Sequence, residues 1–168
     1  MGNAYPYTPD DWQEDILAAM SYGIDGFALN IGSDSWQPAR VADAYAAAEA
    51  IAADHPHKAP FKLFISFDMT CLSDPGLINN YIRTYHGHAA QFVYEGGDFV
   101  STFSGEGVTF GQANCNDGWQ VAVKDVLAGE GIDIYFVPSW SALDPATVYQ
   151  SNPVVDGLFC WTAWYFTS

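Results

Sequence analysis

Basic residues are what this sequence has least of. It carries 5 Lys and Arg against 20 Asp and Glu, a formal net charge of −15. A nucleic-acid binder needs a basic face to displace counterions from phosphate. Five cations spread over 168 residues make no such face, which excludes DNA and RNA as partners. The same shortage argues against docking on an anionic membrane. Long apolar runs are also missing: nothing approaches the roughly 20 uninterrupted apolar residues of a membrane helix. The first residues lack the basic and apolar regions of a signal peptide, and Pro6 breaks the pattern for N-myristoylation. Cysteine is scarce and odd in number, at Cys71, Cys115 and Cys160, so at most one bridge can form within the chain.

What is plentiful is aromatic surface, 16% of residues, with 6 Trp, 10 Tyr and 11 Phe. Most such rings belong in a core. A Trp in a loop has a second use, because flat faces bury area at low entropic cost and sugar rings stack on them.

The chain alternates two patterns. Helical periodicity covers 10–22, 38–54, 75–85 and 114–127, with a short turn at 145–149. Strand-like apolar runs cover 24–31, 61–67, 99–103, 132–137 and 155–160, with a hairpin around Gly96 and Gly97 before the third. Buried strands separated by helices imply an α/β fold with a parallel sheet. Such a repeat either closes into a (β/α)8 barrel or lies open as a doubly wound sheet. No glycine-rich phosphate turn favours the open form. A complete barrel needs about 250 residues, so the expectation is a partial barrel. It would be a single incomplete domain over 1–168, short of sheet at both ends, with open edges that invite association.

In such a barrel the chemistry sits where strands finish. The residues delivered there are Asn30, Asp34 and Trp36, then Asp68, then Ser104 and Glu106, then Ser139 and Trp140, and last Trp161 and Trp164. Two carboxylates and several Trp side chains on one rim suit glycosidic-bond cleavage. One carboxylic acid protonates the leaving oxygen; one carboxylate activates water or attacks the anomeric carbon. An acid after a strand is often only a helix cap. Here the cap falls better on Ser73 or Asp74, which leaves Asp68 for chemistry, and Glu106 is bracketed by Gly105 and Gly107. Gly105-x-Gly107 lacks the third glycine of a dinucleotide fingerprint, and Glu106 would repel a pyrophosphate. His55-Pro56-His57 and His86-Gly87-His88 follow helices on the opposite rim, so capping or solvated roles suit them better than metal binding. No Gly-x-Ser-x-Gly elbow is present. Cys71 and Cys115 lie in successive strand-to-helix loops, so a bridge between them is open.

Six blocks carry a family resemblance: Gly2-Asn3-Ala4-Tyr5-Pro6-Tyr7-Thr8 with Asp11-Trp12; Gly26-Phe27-Ala28-Leu29-Asn30-Ile31-Gly32 with Asp34 and Trp36; Lys62 to Met69; Phe99 to Glu106; Ile134 to Ser139; and Asp156 to Phe159. In order and spacing the chain resembles glycoside hydrolase family 71, mostly fungal endo-1,3-α-glucanases, or mutanases. The resemblance implies a (β/α)8 catalytic barrel of which these are about strands two to six. It implies inverting hydrolysis of α-1,3-glucan with no cofactor and no metal, and a secreted, cell-wall location. Oligomeric state is left open. It makes Asp68 and Glu106 the candidate catalytic residues, with Asn30, Asp34, Trp36, Trp140, Trp161 and Trp164 binding sugar. The family's Trp-Asn-Asp-x-x-Glu stretch after its eighth strand has no counterpart in these 168 residues. An alternative is therefore a non-catalytic glucan-binding remnant, in which Asp68 and Glu106 are supporting carboxylates.

Overall fold

The computed structural model describes residues 2–161. Helix α1, Pro9–Ser21, starts on a capping box. The Thr8 side chain accepts from the Asp11 amide while the Asp11 carboxylate accepts from the Thr8 hydroxyl at 2.6 Å and the Thr8 amide at 2.7 Å, and these two bonds to the carboxylate, the hydroxyl's first, hold it below its usual range. Strand β1, Gly26–Ile31, leads to α2, Gln37–Asp54. Buried Val41, Ala44, Tyr45, Ala48 and Ile51 form the inward stripe of α2. Strand β2 is Lys62–Asp68 and helix α3 is Pro75–Tyr85, with Asp74 as N-cap accepting from the Gly76 amide at 2.8 Å. The two-residue strand β3, Val93–Tyr94, turns into β4, Gly97–Phe103.

Where the sequence shows a single helix, the chain runs as α4, Cys115–Trp119, a π-helical turn at Gln120–Lys124, and α5, Asp125–Ala128. Strand β5 is Ile134–Ser139 and a last helical turn, α6, is Val148–Ser151.

The sheet is mainly parallel. β1 pairs with β2, β2 with β4 and β4 with β5, all parallel, while β3 lies antiparallel on the first residues of β4. Alternation along the strands separates two faces. Leu29, Ile31, Leu63, Ile65, Phe67, Val100 and Phe136 face the helices and are buried. Phe136 stacks on Trp119 of α4 at 4.4 Å. The other face has a row of aromatics, Phe64, Phe99 and Tyr135, beneath a row of small side chains, Asn30, Ser66, Ser101 and Val137. Phe159 meets Phe64 on this second face at 6.3 Å between centroids.

The strand expected over 155–160 is not a ladder strand. Asp156 and Phe159 donate their amides to Phe136 and Pro138 of β5, but no backbone bonds return from β5 to 155–160 among the described residues. Pro138 has no N–H to give, and the Phe136 amide goes to the Asp156 carboxylate at 2.7 Å. β5 itself runs two residues further than the sequence pattern indicated, to Ser139. Among the described residues no helix is long and apolar enough to cross a membrane.

Candidate active site

The finishing ends of β1, β2, β4 and β5 share one rim, and the sequence-predicted residues fall there in separate groups. Asn30 is partly buried on β1, its amide group donating to the Ser66 carbonyl at 3.3 Å. With Trp161 it lines a hollow of about 440 Å³ beside β1, whose other walls include Tyr7, Trp12 and Asp15. Trp161 stands edge-on to Phe103 and Phe159, and its amide donates to the Ser139 hydroxyl at 3.3 Å.

Asp34 is exposed and accepts from Gln37 Nε2 at 3.0 Å, while Gln37 Oε1 takes the Gly32 amide at 2.5 Å. This brace fixes the loop after β1. Asp34 lines a second hollow of about 300 Å³ between the loops after β1 and β2, opposite Cys71 and Asp74. Trp36 precedes α2 and packs edge-on against Tyr5 at 5.3 Å.

Asp68 ends β2 and does not cap α3, since Asp74 does. Its Oδ1 accepts from the Thr70 amide at 3.0 Å and the Thr70 hydroxyl at 2.5 Å. Glu106 follows a turn in which Ser104 and Gly105 both have positive φ, 58° and 109°. Its Oε1 accepts from the Ala142 amide at 3.3 Å. Its Oε2 is buried, with no hydrogen-bond partner among the described residues. The two acid-bearing loops are tied together. The Met69 amide donates to the Phe103 carbonyl at 3.0 Å, and a side chain at Gly105 would meet Met69 Cγ at 2.8 Å. The structure therefore brings Asp68 and Glu106 onto adjacent, directly bonded strand ends. A Ser-Gly-Glu-Gly turn marked Glu106 in the sequence; nothing local marked Met69 or the Ala142 amide as its neighbours.

Three expectations need correcting or placing. Trp140 does not offer a face to sugar: it is 3% exposed, packed edge-on against Phe136 at 5.7 Å. The two extra residues of β5 carry it under Gly105 and into the core. Cys71 and Cys115 are not bridged. The Cys71 thiol donates to the Asp68 carbonyl and the Cys115 thiol to Asn152, and burial pushes the Cys115 thiol pKa up. Trp164 lies outside the described residues. The histidine pairs sit at helix ends as expected, with His55 and His86 as the C-caps of α2 and α3. Among the described residues no His, Cys, Asp or Glu cluster of metal-binding size occurs.

The model of glycosyl hydrolase family 71 matches residues 1–167. The chain belongs to that family. It is 48% identical over 98% of its length to glucan endo-1,3-alpha-glucosidase agn1 of Schizosaccharomyces pombe. It is 40% identical over its whole length to the ascus wall endo-1,3-alpha-glucanase of the same yeast. A mutanase of Penicillium rubens is 37% identical over 98% of the chain. The chain spans 37%, 38% and 33% of the lengths of these three relatives.

Proposed function

We propose that this family 71 chain is part of an enzyme that hydrolyses α-1,3-glucan, with Asp68 and Glu106 as carboxylates of its catalytic rim. The observation that carries the reading is their placement. Both stand at the finishing ends of neighbouring parallel strands, and their loops are locked by the Met69–Phe103 hydrogen bond. The relatives' names supply the substrate class. In inverting hydrolysis one carboxylic acid protonates the leaving oxygen and one carboxylate activates a water on the opposite face, across roughly 6.5–9.5 Å. Carboxylates and water suffice for that chemistry, with no cofactor. Asn30 and Trp161 line the larger hollow and Asp34 the smaller; with Trp36 at the same rim they form the sugar-binding surface.

The parallel strands β1, β2, β4 and β5 correspond in this reading to strands two to five of a (β/α)8 barrel, with 155–160 lying along β5 in the sixth strand's place. Supporting this, β1 pairs with β2 alone among the described residues, and the larger hollow runs beside β1. The product of such an enzyme is shortened cell-wall glucan, and its place of work is outside the cell. Reducing-sugar release from α-1,3-glucan by the full-length enzyme, with the anomer of the first product read by proton NMR, tests the reading. β-Configured product is expected. Release from α-1,4-glucan alone, or α-configured product, would overturn the substrate or the inverting step respectively. Binding without turnover would make the chain a glucan-binding unit.

A further inference from the structure

Thr102 carries a hydroxyl where the fold asks only for volume. It occupies the helix-facing row Ile31, Phe67, Thr102, Pro138, where its strand partners are apolar, and it is 0% exposed. A valine would fill the same space. The hydroxyl instead donates to the Ser104 carbonyl at 2.7 Å, two residues along the chain. Ser104 is one of three non-glycine residues with positive φ among the described residues, a conformation that needs support from its surroundings.

The turn leaving β4 is therefore held on three sides. The Thr102 hydroxyl holds the Ser104 carbonyl from below. The Met69 amide holds the Phe103 carbonyl from the side. The Met69 side chain closes over Gly105, where no Cβ fits. Glu106 emerges directly from this turn, one oxygen on the Ala142 amide and the other buried without a partner among the described residues. Asp68 immediately precedes Met69. Any rotation at Ser104 and Gly105 changes where Glu106 stands relative to Asp68.

We propose that Thr102 is a positioning residue: through the Ser104 carbonyl it sets the separation between the Asp68 and Glu106 carboxylates. The inference rests on the glycosidase reading for its consequence, because that separation decides whether a water fits between acid and base. Its geometry stands independently of that reading.

The test is amide hydrogen exchange on the isotope-labelled 168-residue chain and its Thr102→Val and Thr102→Ser variants. Thr102→Val should speed exchange of the Ala142 and Met69 amides at least about tenfold while leaving the amides of α2 unchanged, and Thr102→Ser should restore both rates. A uniform rise along the chain, no rise at Ala142, or a serine variant that behaves like valine would overturn the proposal. The unsubstituted chain provides a check that does not depend on a variant folding: the Thr102 hydroxyl proton should exchange slowly enough to be observed, and its absence would contradict the hydrogen bond. In the full-length enzyme, Thr102→Val should lower kcat about tenfold with KM within about twofold; a change in KM alone would overturn the positioning role. If the exchange rates respond but α-1,3-glucan is neither bound nor cut, the glycosidase reading fails and the positioning stands.

Discussion

The two ends of the sheet are built differently. At the end where strands start, polar side chains are buried and answered. The Tyr45 hydroxyl donates to Gln91 at 2.6 Å, and Gln91 Nε2 donates to the Phe92 carbonyl at 3.0 Å. Asp98, 4% exposed, meets His86 Nδ1 at 2.8 Å. Tyr45 and Tyr85 stack at 3.9 Å, and burial moves both phenols upward, Tyr85 to about 12. At the end where strands finish, the backbone is strained at Ser104, and Glu106 Oε2, Trp140 Nε1 and Trp161 Nε1 are buried without partners among the described residues. In parallel barrels the starting end serves stability and the finishing end serves chemistry. The contrast here has that form: satisfied groups below, held-open ones above.

Substitutions at the two ends should separate these roles. The largest expected effect on function is at the finishing end. Asp68→Asn should lower α-1,3-glucan turnover by the full-length enzyme at least about 100-fold, while its melting temperature stays close to the parent's. Near-parental activity would remove Asp68 from acid–base chemistry. The largest effect on stability belongs to the starting end. Tyr45→Ala should cost about 3–5 kcal/mol in denaturant unfolding, because the ring is 1% exposed and stacked; a loss under about 1 kcal/mol would break the comparison.

A pH effect of intermediate size follows from Asp98. Burial raises its carboxyl pKa, and the contact with His86 pulls it back in part. A carboxyl raised in the folded state contributes its stability below its unfolded pKa and loses it as pH rises through the folded value. Melting temperature of the parent should therefore decline more than that of Asp98→Asn as pH rises from about 4. An equal slope in both would show that burial of this carboxyl has no thermodynamic weight. The smallest effect is at the surface. Arg83 and Glu130 form a two-pronged pair at 2.6 Å, but their side chains are 35% and 42% exposed. Arg83→Ala should leave the denaturant midpoint close to the parent's, with any loss shrinking further in high salt; a large drop would contradict this.

Much of this architecture could be read from residues. The α3 bounds, 75–85, follow from Asp74 and Pro75 at one end and His86 and Gly87 at the other, signals confined to a few positions. The hairpin before β4 likewise follows from Gly96 and Gly97. What escaped reading depended on partners distant in sequence. The segment after Asn152 has a strand's composition, yet Pro138 and the Asp156 side chain remove the bonds that would make it one. Trp140 reads as a loop aromatic until β5 is seen to continue through Ser139. Asp68 and Glu106 were visible as strand-end acids, but the tie between their loops was not. It depends on the Met69 amide, which no side-chain pattern reports.

The proposed site places α-1,3-glucan at the finishing end of the sheet. Titrating α-1,3-linked glucose oligosaccharides into the isotope-labelled chain and mapping amide shifts tests it directly. The prediction is that the perturbed amides cluster at Gly32 to Trp36, Asp68 to Thr70 and Ser104 to Gly107. Shifts clustered instead around Tyr45, Gln91 and Asp98, or no shifts at any oligosaccharide concentration, would contradict it.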